Sequence, residues 1–87
     1  MNLARHRIFN KHFKARILHN KNLNRKFEER LVLFLKKPND PLLKDHQLVG
    51  KMDSYRSFSI KGDLRVIYRV KGNTLELYDV GTHNQVY

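Results

Sequence analysis

The period at which apolar residues recur changes once along the chain, and this change constrains the fold more than any other sequence feature. Before the segment Pro38–Pro41, apolar residues recur with the spacing of one face of a helix. After it they alternate, or form short runs rich in β-branched and aromatic residues. The sequence PNDP itself cannot continue a helix. Helices followed by strands predict an α+β fold, with two helices packed on one face of a sheet.

Two helices are predicted in the first half. Phe9, Phe13 and Ile17 share one helical face, with Asn10 as the candidate N-cap. A short strand over residues 7–9 is compatible with the sequence just before this helix.

The second helix is predicted to begin after Asn24 as its N-cap and to end at residues 36–37, where two lysines suit the negative end of the helix dipole. Its apolar stripe consists of Phe27, Leu31, Phe34 and Leu35.

The second half predicts an antiparallel meander. Strands are expected over residues 57–60, 64–70 and 74–80, because these segments alternate or are rich in β-branched residues. Turns at residues 61–63 and 71–73 each contain a glycine and are too short for anything but antiparallel connections. Gly81 is expected to let the chain turn after the last strand, so that the tail folds back beside the sheet.

The 87 residues are expected to form one domain, residues 1–87. Without cysteine the chain has no disulfide or thiolate metal site, which fits a cytoplasmic protein. It contains no apolar run long enough to span a membrane and no secretory signal at its start. Its histidines lack the spacing of a metal site, so neither a metal nor another cofactor is predicted.

Charge is concentrated in the helical half. The net charge is +10, of which residues 1–37 carry +9 and residues 38–87 carry +1. Such a surface favours a polyanionic partner, because bound cations neutralise phosphates and release counterions.

The strand half holds the residue types that metal-free RNA cleavage requires. That reaction needs a base for the ribose 2′-hydroxyl, an acid for the leaving 5′-oxygen, and cations for the charge that develops on phosphorus. The candidates at strand ends, turns and tail are His46, Arg56, Lys61, Asp63, Arg65, His83 and Tyr87. Each alone is more often a surface, turn or packing residue.

Four motifs, in order and over about 44 residues, resemble the RelE/ParE toxin superfamily and most closely its YafQ-like branch. They are D-H-x-L-x-G at 45–50, Y-R-S at 55–57, G-D-x-R-x-I-Y at 62–68 and G-T-H-x-x-x-Y at 81–87. The resemblance implies a microbial-ribonuclease-like α+β fold, with two N-terminal helices on a small twisted antiparallel sheet.

It also implies an activity: metal-independent, ribosome-dependent cleavage of mRNA by the toxin of a type II toxin–antitoxin system, which inhibits translation. By position, the implied catalytic residues are His46, Asp63, Arg65, His83 and Tyr87. The expected RNA-binding residues are Lys44, Lys51, Arg56 and Lys61. The expected partners are the ribosome, mRNA and an acidic antitoxin, the last in a hetero-oligomer.

Two positions depart from the YafQ-like pattern. Ser59 stands where that branch has a histidine, and Leu64 where it has an aromatic residue. We expect either slower chemistry or a larger share of it on His46, His83 and Tyr87. The alternative is a non-catalytic relative that binds gyrase, as ParE toxins do, or only its antitoxin; the two histidines and Tyr87 favour the nuclease, since a pure binder does not need them.

Overall fold

The computed structural model describes all residues, 1–87, and confirms the α+β class. The strands are β1 (Asn2–Arg5), β2 (His46–Gln47), β3 (Arg56–Lys61), β4 (Leu64–Lys71) and β5 (Thr74–Gly81). The helices are α1 (Arg7–Arg16), α2 (Lys21–Lys36) and α3 (His83–Val86), with 3₁₀ turns at Pro41–Leu43 and Gly50–Met52. None of the helices is long and apolar enough to cross a membrane.

The five strands form one sheet in the order β1-β5-β4-β3-β2. The predicted meander β3-β4-β5 is antiparallel, as is β2 on β3, and tight turns at Gly62 and Gly72 join its strands, each glycine with positive φ. β1 was not predicted as a parallel strand, yet it pairs with β5 and makes the sheet mixed. Register shifts after Ser59 and after Ile67 mark bulges, which increase the twist of the sheet.

The start of the chain differs from the sequence prediction. The strand expected over residues 7–9 is wrong, because the strand ends at Arg5 and these residues begin α1. His6 is the N-cap: its Nδ1 accepts the backbone N–H of Ile8 at 3.0 Å. Phe9 is fully buried in the core, and that burial favours the helical conformation here.

Both predicted N-caps are wrong by one helical turn. His6 caps α1 in place of Asn10, and Asn20 caps α2 in place of Asn24, with its Oδ1 accepting the N–H of Leu23 at 3.1 Å. Residues four apart share a helix face, so the apolar pattern by itself does not distinguish the first turn from the second.

The core lies between the helices and one face of the sheet. Its residues include Phe9, Phe27, Phe34, Phe58, Ile60, Val66, Tyr68, Leu75 and Leu77. Because side chains alternate along a strand, Ser57, Ser59 and Arg65 point to the opposite face, which we call the open face. These three polar residues are nevertheless buried, and α3 lies over this side of β4 and β5.

Candidate functional site

Arg65 is the centre of a polar cluster on the open face. Its Nε donates to Ser57 Oγ, and its Nη2 donates to the carbonyl oxygens of Lys44 at 2.7 Å and of Ser57 at 3.2 Å. Nη2 also lies 3.2 Å from His46 Nδ1. The side chain is therefore held by two neighbouring segments of chain, residues 44–46 and β3, and the residue is only 8% exposed.

All of these acceptors are neutral. Arg65 takes part in none of the ion pairs of the protein, whereas Arg16, Arg56 and Arg69 each have a carboxylate partner. A guanidinium stays protonated even when buried, so Arg65 keeps a positive charge that no neighbour compensates. Burying such a charge is unfavourable unless an anion joins it, which makes this position suited to a phosphate group.

His46 has two competing contacts at one ring nitrogen. Its Nδ1 lies 3.1 Å from the carbonyl oxygen of Lys44, an acceptor, and 3.2 Å from Arg65 Nη2, a donor. With a proton on Nδ1 alone, the ring donates to the carbonyl oxygen of Lys44 and Nε2 is free to act as a base. With both nitrogens protonated, Nδ1–H still donates to Lys44 and the imidazolium can give up its Nε2 proton as an acid. The same exposed imidazole can therefore take either role in proton transfer.

The tail forms α3 and brings two more predicted residues to the cluster. His83 and Tyr87 lie four apart, and their ring centroids are 4.4 Å apart in an edge-to-face arrangement. The Tyr87 hydroxyl donates to Ser57 Oγ at 2.9 Å, so Ser57 links the tail to Arg65. The tail thus folds back beside the sheet as predicted, as a turn of helix that contacts β3 through Ser57.

Gly81 has a different role from the one predicted. Its φ is not positive; instead, a Cβ at this position would lie 2.6 Å from an Arg16 guanidinium nitrogen and 2.8 Å from Gln85 Oε1. Gln85 forms a capping box with Thr82 at the start of α3. A side chain at this position would displace the ends of the Arg16 and Gln85 side chains, which pack directly on the backbone here.

A groove of about 460 Å³ separates β2 from α3. Its polar lining residues include His46, His83 and Tyr87, and its apolar ones are Leu48, Val49 and Met52. Apolar side chains beside aromatic rings and polar groups are suited to a flat nucleobase that stacks and hydrogen-bonds.

The predicted lysines lie in different surroundings. Lys44 and Lys61 line a second groove, at the end of β3, and Lys44 has a positive φ of 46°, unusual for a residue with a side chain. Lys51 and Asp63 are exposed, in a 3₁₀ turn and the β3–β4 turn, and make no side-chain hydrogen bond or ion pair. No contact joins the Asp63 carboxylate to Arg65.

Arg56 lies outside the cluster. It points to the helix side of the sheet, where its Nε donates to Asp45 Oδ1 at 2.8 Å, and the Tyr68 hydroxyl donates to the other carboxylate oxygen. The hydrogen bond with Asp45 raises the pKa of Arg56, and burial, followed by the bond to Asp45, raises the pKa of Tyr68. The guanidinium of Arg56 is thus already paired with a carboxylate.

Sequence reasoning did not assign a role to Ser57, which accepts from both Arg65 and Tyr87. The available signal was the pair Ser57 and Ser59, two polar residues spaced by two within a strand of otherwise buried apolar character. The acceptor role of the Lys44 carbonyl had no signal in the sequence, since every residue has one.

No three His, Asp or Glu side chains gather closely enough to hold a metal ion. His12 does approach one carboxylate: its Nδ1 lies 2.6 Å from Asp79 Oδ1, a contact that ties α1 to β5.

Comparison with solved structures gives the same fold throughout. A copper-bound mutant toxin from Helicobacter pylori is 32% identical, with a TM-score of 0.82, over 100% of this chain and 99% of that one. The DinJ–YafQ complex of E. coli matches at 23% identity and a TM-score of 0.80, over 99% of this chain and 97% of that one. A YoeB/ParE toxin from Agrobacterium tumefaciens matches at 24% identity and a TM-score of 0.81, over 95% of this chain and 99% of that one.

Comparison with proteins of curated function gives no significant match. A family model described as the YafQ bacterial toxin of type II toxin–antitoxin systems matches residues 1–87, the entire sequence. This match confirms the resemblance drawn from the four motifs. The chain belongs to the YafQ family of type II toxin–antitoxin toxins.

Proposed function

We propose that this toxin is a metal-independent endoribonuclease that cuts mRNA on the ribosome and so inhibits translation in the cytoplasm. The observation that carries the proposal is the uncompensated charge of Arg65 beside His46, with His83 and Tyr87 reached through Ser57. A cation without a carboxylate partner, next to groups that transfer protons, is what phosphodiester cleavage needs.

The reaction follows from the groups in the cluster. One histidine takes the proton of the ribose 2′-hydroxyl, and the 2′-oxygen then bonds to phosphorus while the bond to the 5′-oxygen breaks. The other histidine protonates the leaving 5′-oxygen, and Arg65 stabilises the charge on the phosphoryl oxygens. The products are a 2′,3′-cyclic phosphate and a 5′-hydroxyl. Tyr87 orients the nucleobase by stacking. The protonation state of His46 decides whether His46 or His83 takes the proton of the 2′-hydroxyl.

The remaining predicted residues have graded roles. Lys44 and Lys61 bind the phosphates that flank the cleaved bond. Lys51 and Asp63 contribute from exposed positions at the edge of the catalytic site. Arg56 contributes least to RNA binding, because Asp45 already neutralises its guanidinium.

The resting geometry supports a requirement for the ribosome. Every hydrogen bond of Arg65 is internal, and no hydrogen bond joins His46 to His83. An RNA held on the ribosome would arrive with its 2′-oxygen in line with the scissile bond, which supplies the positioning that these groups lack.

An antitoxin partner is supported by the complex in which YafQ of E. coli is bound to DinJ. We propose that the partner of this chain is acidic and folds on binding, because the surface it must cover carries most of the +10 net charge.

The test compares ribosomes programmed with an mRNA against the same mRNA free in solution. We expect cleavage only on ribosomes, with cyclic phosphate ends, and none by a variant with both His46 and His83 changed to alanine. Efficient cutting of free mRNA would refute the ribosome requirement. No cutting at all, together with inhibition of gyrase, would favour the non-catalytic alternative.

A further inference from the structure

A second groove, which we call the basic groove, lies between α2 and the β3–β4 turn. It has a volume of about 630 Å³. Its lining residues with positive charge are Arg25, Lys26, Arg30, Lys44 and Lys61. No acidic residue lines it.

The α2 residues reach the groove together because of their spacing. Asn22, Arg25, Lys26 and Arg30 fall on one face of the helix, beside the apolar stripe that packs on the sheet. The first turn of α2 has no acidic residue, although the positive end of a helix dipole favours one. The charge of this segment therefore works against the stability of the isolated helix and would be relieved by a bound anion.

Few of these charges are compensated within the protein. Lys26 approaches Glu29 at 3.8 Å, but both side chains are well exposed and such pairs contribute little. Arg30 donates to the carbonyl oxygen of Leu42 at 2.5 Å, which anchors α2 to the 3₁₀ turn and leaves its charge unpaired. Arg25, Lys44 and Lys61 have no carboxylate partner.

Lys44 connects the basic groove to the cluster around Arg65. Lys44 lines the groove, and its carbonyl oxygen accepts from Arg65 at 2.7 Å. Its backbone is left-handed, with φ of 46°. Ser59, which also lines the groove, is the β3 residue paired with Arg65.

We propose that the basic groove is a binding track for the RNA phosphodiester backbone, continuous through Lys44 with the site of cleavage, and that Arg25 and Lys26 are its principal contacts. This inference rests on the proposed function for its ligand class. The two sources of that backbone are the mRNA strand and ribosomal RNA.

The test is binding, so it does not depend on cleavage. Arg25→Gln combined with Lys26→Gln removes two charges from the groove and leaves the Arg30 anchor intact. The matched control is Lys11→Gln combined with Lys14→Gln, which removes two exposed charges of α1 outside every groove. Each protein is titrated with a single-stranded RNA oligonucleotide across a range of salt, and separately with ribosomes that carry no mRNA.

Loss of two phosphate contacts should lower the slope of log affinity against log salt by about 1.4, which is roughly 10- to 30-fold weaker binding at 0.1 M salt. The control pair should leave the slope unchanged. A loss seen with the oligonucleotide assigns the track to mRNA, and a loss seen only with ribosomes assigns it to ribosomal RNA.

A third variant isolates Lys44. Lys44→Gly keeps the left-handed backbone without strain and keeps the carbonyl, so the cationic side chain is removed while the acceptor of Arg65 stays. The slope should fall by about 0.7. Equal losses from the groove pair and the control pair would overturn the proposal, because they would show a response to net charge alone. Unchanged binding of RNA and of ribosomes by the groove pair would also overturn the proposal. This includes the case in which a further titration with polyglutamate shows a loss of affinity for that peptide alone, which is the result expected of a site for acidic peptides.

Discussion

Arg56 and Arg65 lie on neighbouring strands of the same sheet and have opposite electrostatic surroundings. Arg56, on the helix side, bonds to a carboxylate that a tyrosine hydroxyl also bonds. Arg65, on the open face, bonds only to neutral oxygens and to a histidine nitrogen. The first arrangement neutralises the charge of Arg56 and stabilises the edge of the sheet. The second leaves the charge of Arg65 available to an anion.

Adjacent residues of the chain build these two clusters. Asp45 and His46 are consecutive, as are Arg56 and Ser57, and in each pair one residue joins one cluster and its neighbour joins the other. Strand geometry sends successive side chains to opposite faces, so a structural cluster and a reactive one can share two short segments. Proximity in sequence to a reactive residue is therefore poor evidence for a catalytic role.

The largest expected effect is on the tail side of the reactive cluster. His83→Ala should lower single-turnover cleavage on ribosomes by about 10²–10⁴, because it removes a proton-transfer group. The melting temperature should change by less than about 4 °C, the shift that about 1 kcal/mol causes in a domain of this size, because His83 is exposed. Near-normal cleavage would remove His83 from the site, and a large drop in melting temperature would assign it to packing.

One substitution made at both arginines tests the comparison directly. Arg65→Lys keeps the charge but loses the planar fork, and should lower cleavage by about 10²–10³. Arg56→Lys should leave cleavage near normal, because Arg56 faces Asp45 on the other side of the sheet. Both variants are measured on ribosomes, with melting curves in parallel. Equal losses of cleavage from the two would show that the clusters are not functionally distinct.

Removal of a hydroxyl from each cluster should separate stability from activity. Tyr68→Phe should lower the free energy of unfolding by about 1–3 kcal/mol, because a partly buried carboxylate loses a donor. Its cleavage rate should stay near normal. Tyr87→Phe is the matched variant. Because Tyr87 is 45% exposed, loss of its hydroxyl should affect stability less, while its ring remains to stack on a nucleobase. Denaturant unfolding of both proteins checks the difference, and a larger destabilisation from Tyr87→Phe would contradict it.

The smallest effect concerns alkaline pH. An unfolded tyrosine releases its proton near pH 10, while burial and Asp45 raise the pKa of Tyr68 above that value in the folded protein. Above pH 10 the folded protein keeps the Tyr68 proton while the unfolded protein releases it. The contribution of Tyr68 to stability is therefore complete below pH 10 and is lost as pH rises through the raised pKa of the folded state. The loss should stay below about 1 kcal/mol at pH 10.5. Unfolding measured from pH 9 to 11 should show this decline in the unchanged protein and a smaller one in Tyr68→Phe; identical declines would contradict the assignment.

The sequence by itself determined the features that neighbouring residues encode. Apolar period gave two helices and then three strands, glycines gave the two tight turns, and four motifs gave the family. It also located most of the positive charge in residues 1–37. The helices, strands and turns depend on residues close together in sequence, and the motifs and the charge depend only on residue identity and order, which is why a pattern can predict them.

Only the tertiary structure decided which polar residues meet. The hydrogen bond from Tyr87 to Ser57 joins residues 30 apart, and that from Arg65 to the Lys44 carbonyl joins residues 21 apart. Such contacts depend on strand register, and a shift of one residue would move Ser57 and Arg65 to the core side. The same holds for β1, whose parallel pairing with β5 depends on where the two helices return the chain. It holds also for the basic groove, whose cations come from α2, β3 and the residue that follows the first 3₁₀ turn.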